Sequence, residues 1–272
     1  MSPRQPHPEP AGPDFDNPST RRRNIALGLA LIVGAVAVMA GTYLWAGRDP
    51  KPNAWPEVDL GADKVVVYKQ TETRDLHLHV FLPDGEPTAA AVMFHGGGFE
   101  RTPIEQFVPQ SLALAQHGAV GFIAEYRVNS DDVNTTDIVA DANDAVEFVT
   151  EHASDYGIPV DRVVAMGASA GGMLAANTET SDPSERGPEA LVLYNPAIST
   201  RLADPQIPVL VFHGESDRTV SIDSARSYCS DSETCELVTF PGQDHGFFNE
   251  EPYLDQTTDL MLAFLKEHDF LP

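Results

Sequence analysis

The feature that most constrains this chain is an alternation of two periodicities. Short apolar runs recur at 65–68, 76–82, 89–94, 120–126, 162–166, 190–194, 208–212 and 237–240, most of them rich in β-branched residues. Helix-period segments lie between the later ones, at 104–116, 137–156, 171–177, 222–228 and 253–267. The clearest of these sets Ile138, Val139, Ala142, Ala145, Val146 and Val149 on one face. The second run alternates Leu76, Leu78, Val80 and Leu82 against His77, His79 and Phe81, which predicts a half-exposed antiparallel strand. From Ala89 onward the runs are almost continuously apolar, as parallel strands covered on both faces must be. Strand and helix in turn specify an α/β sheet with helices on both faces, and no internal repeat competes with that reading.

Composition narrows the function. The 272 residues allow one large domain or two small ones, and 42% hydrophobic with 21% charged residues excludes wholesale disorder. The net charge is −24, and beyond Lys51 11 basic residues face 37 acidic ones, a net −26. Such a surface repels phosphate backbones, so nucleic acid is excluded as a partner. It also suits solubility in salty surroundings. Two cysteines are too few for a disulfide-framework mini-protein or a Cys-rich zinc module.

The N-terminal part reads differently. Residues 1–24 open with six prolines in the first 18 positions and form an expected disordered tail ending in Arg21, Arg22 and Arg23. The uncharged run 25–46 has 22 residues and is apolar all round. At about 1.5 Å per residue it reaches roughly 33 Å, enough for the hydrocarbon layer. We read it as a single transmembrane anchor whose partner is the lipid bilayer. The alternative is a signal peptide cleaved near Val38-Met39-Ala40, after which the domain would be secreted; the run is longer than an ordinary signal core. The arginines favour a cytoplasmic N-terminus. Residues 47–57 form a Pro-rich stalk, and residues 58–272 the folded domain, expected outside the cytoplasmic membrane.

Two motifs carry chemistry. Gly167, Ser169 and Gly171 form G-x-S-x-G between an apolar strand and a helix start. A nucleophilic serine must project from a strained turn at the sheet's carboxyl edge, and flanking glycines let the backbone pass without a Cβ clash. Upstream, His95-Gly96-Gly97-Gly98-Phe99 follows another strand, and a glycine turn there can aim backbone N–H groups at a developing oxyanion. The nucleophile needs a base and an orienting acid. His245, in the loop after the last strand, is the favoured base, while His95 and His213 read as residues that shape turns. His77 and His79 share a strand face, but without a carboxylate or cysteine companion they do not specify a metal site. The acid is Asp217 or Glu215, both in the loop after the 208–212 strand; Asp244 is too close to His245 in sequence to orient it.

These residues resemble the α/β-hydrolase superfamily, in particular its H-G-G-G-bearing esterases, over roughly residues 60–270. The resemblance implies a mostly parallel eight-stranded sheet whose second strand is antiparallel. It implies Ser169 as nucleophile, Gly97, Gly98 and Ala170 as oxyanion donors, His245 as base, and Asp217 as its orienter by chain order. The stretch 160–176 is similar to the hormone-sensitive-lipase-like branch, although Ala168 stands where that branch usually has Asp and no N-terminal cap has room. The loop around Asp217 is more similar to small capless carbohydrate esterases and dienelactone-hydrolase-like proteins, which often use Cys where this chain has Ser169. Only residues 195–207 link the sixth and seventh strands, too few for a substantial lid. The implied activity is a serine carboxylesterase acting on short acyl esters, including acyl groups on carbohydrate, with no cofactor and no metal. An amidase or peptidase on the same fold, or a non-catalytic anchored binding module, are the alternatives. Cys229 and Cys235 flank a short polar loop and are expected to form a disulfide if the domain is extracytoplasmic.

Overall fold

A computed structural model describes residues 58–178, 187–198, 207–230 and 232–272. The expected tail, anchor and stalk, and most of the 195–207 linker, lie outside the described residues. Among the described residues no helix is long and apolar enough to cross a membrane.

Eight strands form one sheet: β1 (Lys64–Gln70), β2 (Asp75–Phe81), β3 (Ala89–Phe94), β4 (Ala119–Ala124), β5 (Val163–Ala168), β6 (Ala190–Tyr194), β7 (Val209–Gly214) and β8 (Cys235–Phe240). Their spatial order is β1-β2-β4-β3-β5-β6-β7-β8. β2 runs antiparallel to both its neighbours, and every pairing from β4 to β8 is parallel. β3 through β7 are buried along their whole length, as their continuous apolar runs require.

Among the described residues five α-helices cover the sheet: α1 (Val108–Gln116), α2 (Thr135–Glu151), α3 (Ala170–Asn177), α4 (Ile222–Cys229) and α5 (Tyr253–Glu267). Two apolar clusters lie on opposite faces. One packs Ile138, Ala142, Val146 and Leu174 against Val92, Phe94 and Ala165; the other packs Leu114, Met261 and Leu265 against Met93, Val164 and Met166. Odd and even residues of a single strand thus feed separate cores.

Three differences from the sequence reading have physical causes. The segment 104–116 is a 3₁₀ turn (Ile104–Phe107) followed by α1, because Pro109 fits only the first turn of an α-helix. The segment 137–156 begins earlier, at Thr135, since the Asn134 side chain caps the N–H groups of Thr136 and Asp137. It leaves α-geometry after Glu151, and Gly157 at φ 75° ends the following 3₁₀ turn. Finally, β2 is not half exposed: His79 and Phe81 are buried along with Leu76, Leu78 and Val80.

That burial is made possible by Glu125, just beyond β4. Its carboxylate meets His77 Nδ1 at 3.0 Å, His79 Nε2 at 3.2 Å and Arg74 Nη1 at 3.1 Å. The two histidines therefore do have a carboxylate companion, but Arg74 occupies it too. Among the described residues no group of side chains is arranged to hold a metal ion.

Candidate active site

Ser169 sits between β5 and α3 with φ 53° and ψ −116°, a conformation L-residues rarely adopt. The neighbouring glycines explain how the turn closes. A Cβ on Gly171 would lie 2.1 Å from Phe94 O, and one on Gly167 would lie 2.1 Å from Gly171 O. The turn is tied down by Ser169 N–H donating to Tyr194 O at 2.9 Å and Ala197 N–H donating to Ser169 O at 2.9 Å. Its side chain, making no cap bond to α3, is left free to project.

It projects onto His245. Ser169 Oγ lies 2.9 Å from His245 Nε2, and His245 Nδ1 lies 2.7 Å from Asp217 Oδ2. A carboxylate can only accept from Nδ1, so Nε2 presents its lone pair to the Ser169 hydroxyl. The Asp217 side chain is fully buried and that of His245 is 22% exposed. Asp217 Oδ1 accepts the N–H groups of Thr219 (2.8 Å) and Val220 (2.9 Å), which locks the carboxylate in its own loop. Glu215 points elsewhere, accepting from Thr239 Oγ1 at 2.9 Å. Asp244 does not orient the imidazole. It accepts the His245 backbone N–H at 2.8 Å and pairs with Arg218 at 2.6 Å.

The glycine loop lies beside the elbow, and a Cβ on Gly96 would fall 3.4 Å from Ser169 Cβ. Gly96 O is 2.6 Å from the buried Nδ1 of His95, which must donate. Across a trans peptide the next N–H points the opposite way, so the Gly97 N–H faces away from that imidazole. Among the described residues none of the N–H groups of Gly97, Gly98 or Ala170 is spent on a protein acceptor. Gly97 needs to be glycine twice over: its φ is 120°, and a Cβ would meet Arg101 O at 2.5 Å. His95 stacks on Tyr126 with centroids 4.4 Å apart, and the Tyr126 hydroxyl donates to His95 O at 2.7 Å. Burial pushes the His95 pKa down to about 4, so the ring stays neutral as the loop's internal donor.

Two neighbours support the site, and only the second of them escaped the sequence reading. His213 is buried at the end of β7 with Nε2 3.1 Å from Val220 O and 3.5 Å from Asp217 Oδ2; burial lowers its pKa and leaves it neutral beside the carboxylate. Gln106, on the 3₁₀ turn before α1, accepts the Gly96 N–H at 2.7 Å. Nothing in the local sequence marks it. Cys229 and Cys235 are joined by a disulfide between the end of α4 and the start of β8.

Comparison with known proteins identifies the family. The BD-FAE family model matches residues 78–186. Thermogutta terrifontis esterase 2 is similar in structure. In its propionate-bound form it is 32% identical with a TM-score of 0.72, covering 79% of this chain and 97% of that one. Its form phosphorylated by paraoxon is 32% identical with a TM-score of 0.73, covering 80% and 98%. A non-reducing polyketide synthase of Acremonium egyptiacum, ascC, is 28% identical over 172 residues, 59% of this chain but only 8% of that protein's length. With nearly the whole of a thermophilic esterase matched at this identity, the chain belongs to the α/β-hydrolase esterases and is a serine carboxylic ester hydrolase.

Proposed function

We propose that this protein hydrolyses short-chain acyl esters, including acyl groups on carbohydrate, through Ser169, His245 and Asp217. The observation that carries the proposal is the continuous contact chain from Ser169 Oγ through His245 to the buried Asp217 carboxylate, at 2.9 and 2.7 Å. Ser169 gives its proton to His245 Nε2 as Oγ bonds the ester carbon. The carbonyl oxygen takes up charge beside the N–H groups of Gly97, Gly98 and Ala170. The imidazolium then protonates the departing alcohol, and a water, deprotonated by the same nitrogen, clears the acyl group. Propionate- and butyrate-bound forms of the Thermogutta esterase support a short acyl group. The similarity of the Asp217 loop to capless carbohydrate esterases supports the carbohydrate. The reading includes an anchor at 25–46 that holds domain 58–272 outside the cytoplasmic membrane, which the length of the apolar run and the arginines before it support.

The test uses the full-length protein on p-nitrophenyl esters of increasing acyl length, beside Ser169→Ala. Turnover of acetate or butyrate esters should fall by about four orders of magnitude or more in the variant. Folded wild-type protein that turns over no ester, or a variant that keeps its activity, overturns the proposal.

A further inference from the structure

The oxyanion loop and the base hang on strands far apart in the sheet. The glycine loop follows β3 and the His245 loop follows β8, with β5, β6 and β7 between them. Four strand spacings amount to about 19 Å, so no ladder hydrogen bond couples the two loops. A polar bridge crosses the gap above the sheet instead. Gly96 N–H can only donate, so Gln106 must present Oε1 to it at 2.7 Å. Gln106 Nε2 then faces Asn249 Oδ1 at 3.3 Å, and Asn249 Nδ2 donates to Gly246 O at 2.9 Å. The backbone at both ends sets the direction of every bond in the chain. It starts on the residue before the oxyanion glycines and ends on the residue after His245. An apolar contact runs beneath it: Phe107, next to Gln106, stacks on Phe248, next to Asn249, with centroids 6.4 Å apart.

We propose that Gln106 and Asn249 are positioning residues that hold the glycine loop and the histidine loop in register, so that oxyanion donors and base meet the same carbonyl. The inference rests on the assignment of Ser169, His245 and the glycine N–H groups made above. Neither side chain exchanges a proton or touches the reacting bond. Gln106 fixes one backbone group of Gly96 while His95 fixes the other, and Asn249 carries that constraint to the base. A loosened loop lowers the rate of the chemical step and leaves ground-state binding almost alone.

The test measures kcat and KM on p-nitrophenyl butyrate for full-length Gln106→Leu, Asn249→Leu and the double variant. Each single change should lower kcat about tenfold, less than the loss of an oxyanion donor itself. KM should stay within about twofold, and the double variant should match the worse single because both break one chain. Gln106→Glu keeps an acceptor for Gly96 and should recover part of the loss. Asn249 is exposed, so its variant reports even if Gln106→Leu folds poorly. Losses that multiply in the double variant, a change in KM alone, or an unaltered kcat overturn the bridge. Ser169→Ala measured alongside separates the two readings. If that variant is inactive while Gln106→Leu and Asn249→Leu are unaffected, only the bridge fails; if it stays active, the proposed function fails first.

Discussion

Ser169 and His245 touch, yet the two sides of the site are held by different physics. On the serine side the constraints are steric and buried. Gly167 and Gly171 let the elbow pass over β3 and β5, and the glycine loop is tied inward to a fully buried His95. On the histidine side the constraints are polar and run from the buried Asp217 carboxylate out to the solvent-exposed Arg218–Asp244 pair. The Asp217 and Asp244 carboxylates collect backbone N–H groups from the two loops, and an exposed Arg218 ties them together. At Gly167 and Gly171 the serine elbow tolerates no added atom. The histidine loop is open at Gly242 and depends on charge, although Gly214 at its base is closed by Gln243 O at 2.4 Å.

The first way to sharpen that contrast is to add one methyl to each side. In Gly171→Ala the new carbon would sit 2.1 Å from Phe94 O and 2.3 Å from His95 O, both backbone atoms that cannot swing aside. We expect a loss of at least about 3 kcal/mol, seen as a thermal midpoint roughly 10 °C lower or as failure to accumulate folded protein. In the histidine loop, a Cβ at Gly242 meets nothing within 4 Å, and the strain comes only from its φ of 75°. Gly242→Ala should cost about 1 kcal/mol. Equal shifts in the two midpoints would break the comparison.

Acid should act on the serine side through His95. Its folded pKa, pushed by burial to about 4, lies below the ordinary histidine value near 6.5. Below that value the unfolded chain takes up a proton the folded one refuses. The stability is therefore complete above about pH 6.5 and drains away as pH falls toward 4, by about 3 kcal/mol in all. Urea midpoints at pH 7.5, 5.5 and 4.5 for wild type and His95→Asn measure this. The variant starts lower, having lost the Gly96 bond, but its slope with pH should be shallower. Parallel slopes would show that His95 does not carry the acid sensitivity.

How much of this was legible in the sequence follows the same division. The eight strands could be placed because buried parallel strands leave unbroken apolar runs, and the elbow because its glycines are adjacent in sequence. The alternation in β2 misled, since the period of two was present but the polar face was covered by the His79–Glu125 contact, 46 residues apart. Asp217 and Glu215 differ by two positions; the resemblance favoured Asp217, and the structure separates them by what each carboxylate meets, His245 Nδ1 for Asp217 and Thr239 Oγ1 for Glu215. In hindsight Asp217-Arg218-Thr219-Val220 carries a local signal, an aspartate capping N–H groups two and three residues on. Gln106 carries none. It matters because the fold brings it to Asn249, 143 residues away, and no window of sequence contains that contact.

The smallest expected effect belongs to the most conspicuous ion pair. Arg218 binds Asp244 with two nitrogens, at 3.0 and 2.6 Å, and the residues on either side of this pair are Asp217 and His245 themselves. By position it looks essential to the contact between Asp217 and His245. Its side chain is 87% exposed, however, and a solvated pair gains little from its Coulomb attraction. What holds Asp244 down to a pKa of about 2 is first the Arg218 backbone N–H and only then the guanidinium, with the His245 N–H helping. Arg218→Ala keeps both backbone donors, so the loops stay joined. We expect kcat/KM to fall by less than about threefold at low salt and the difference to vanish near 1 M NaCl, where screening acts within about 3 Å. Asp244→Ala removes the acceptor that both backbone N–H groups share and should lower kcat/KM further, with a deficit that salt does not erase. A large, salt-independent loss in Arg218→Ala would mean the histidine side is held as rigidly as the serine side.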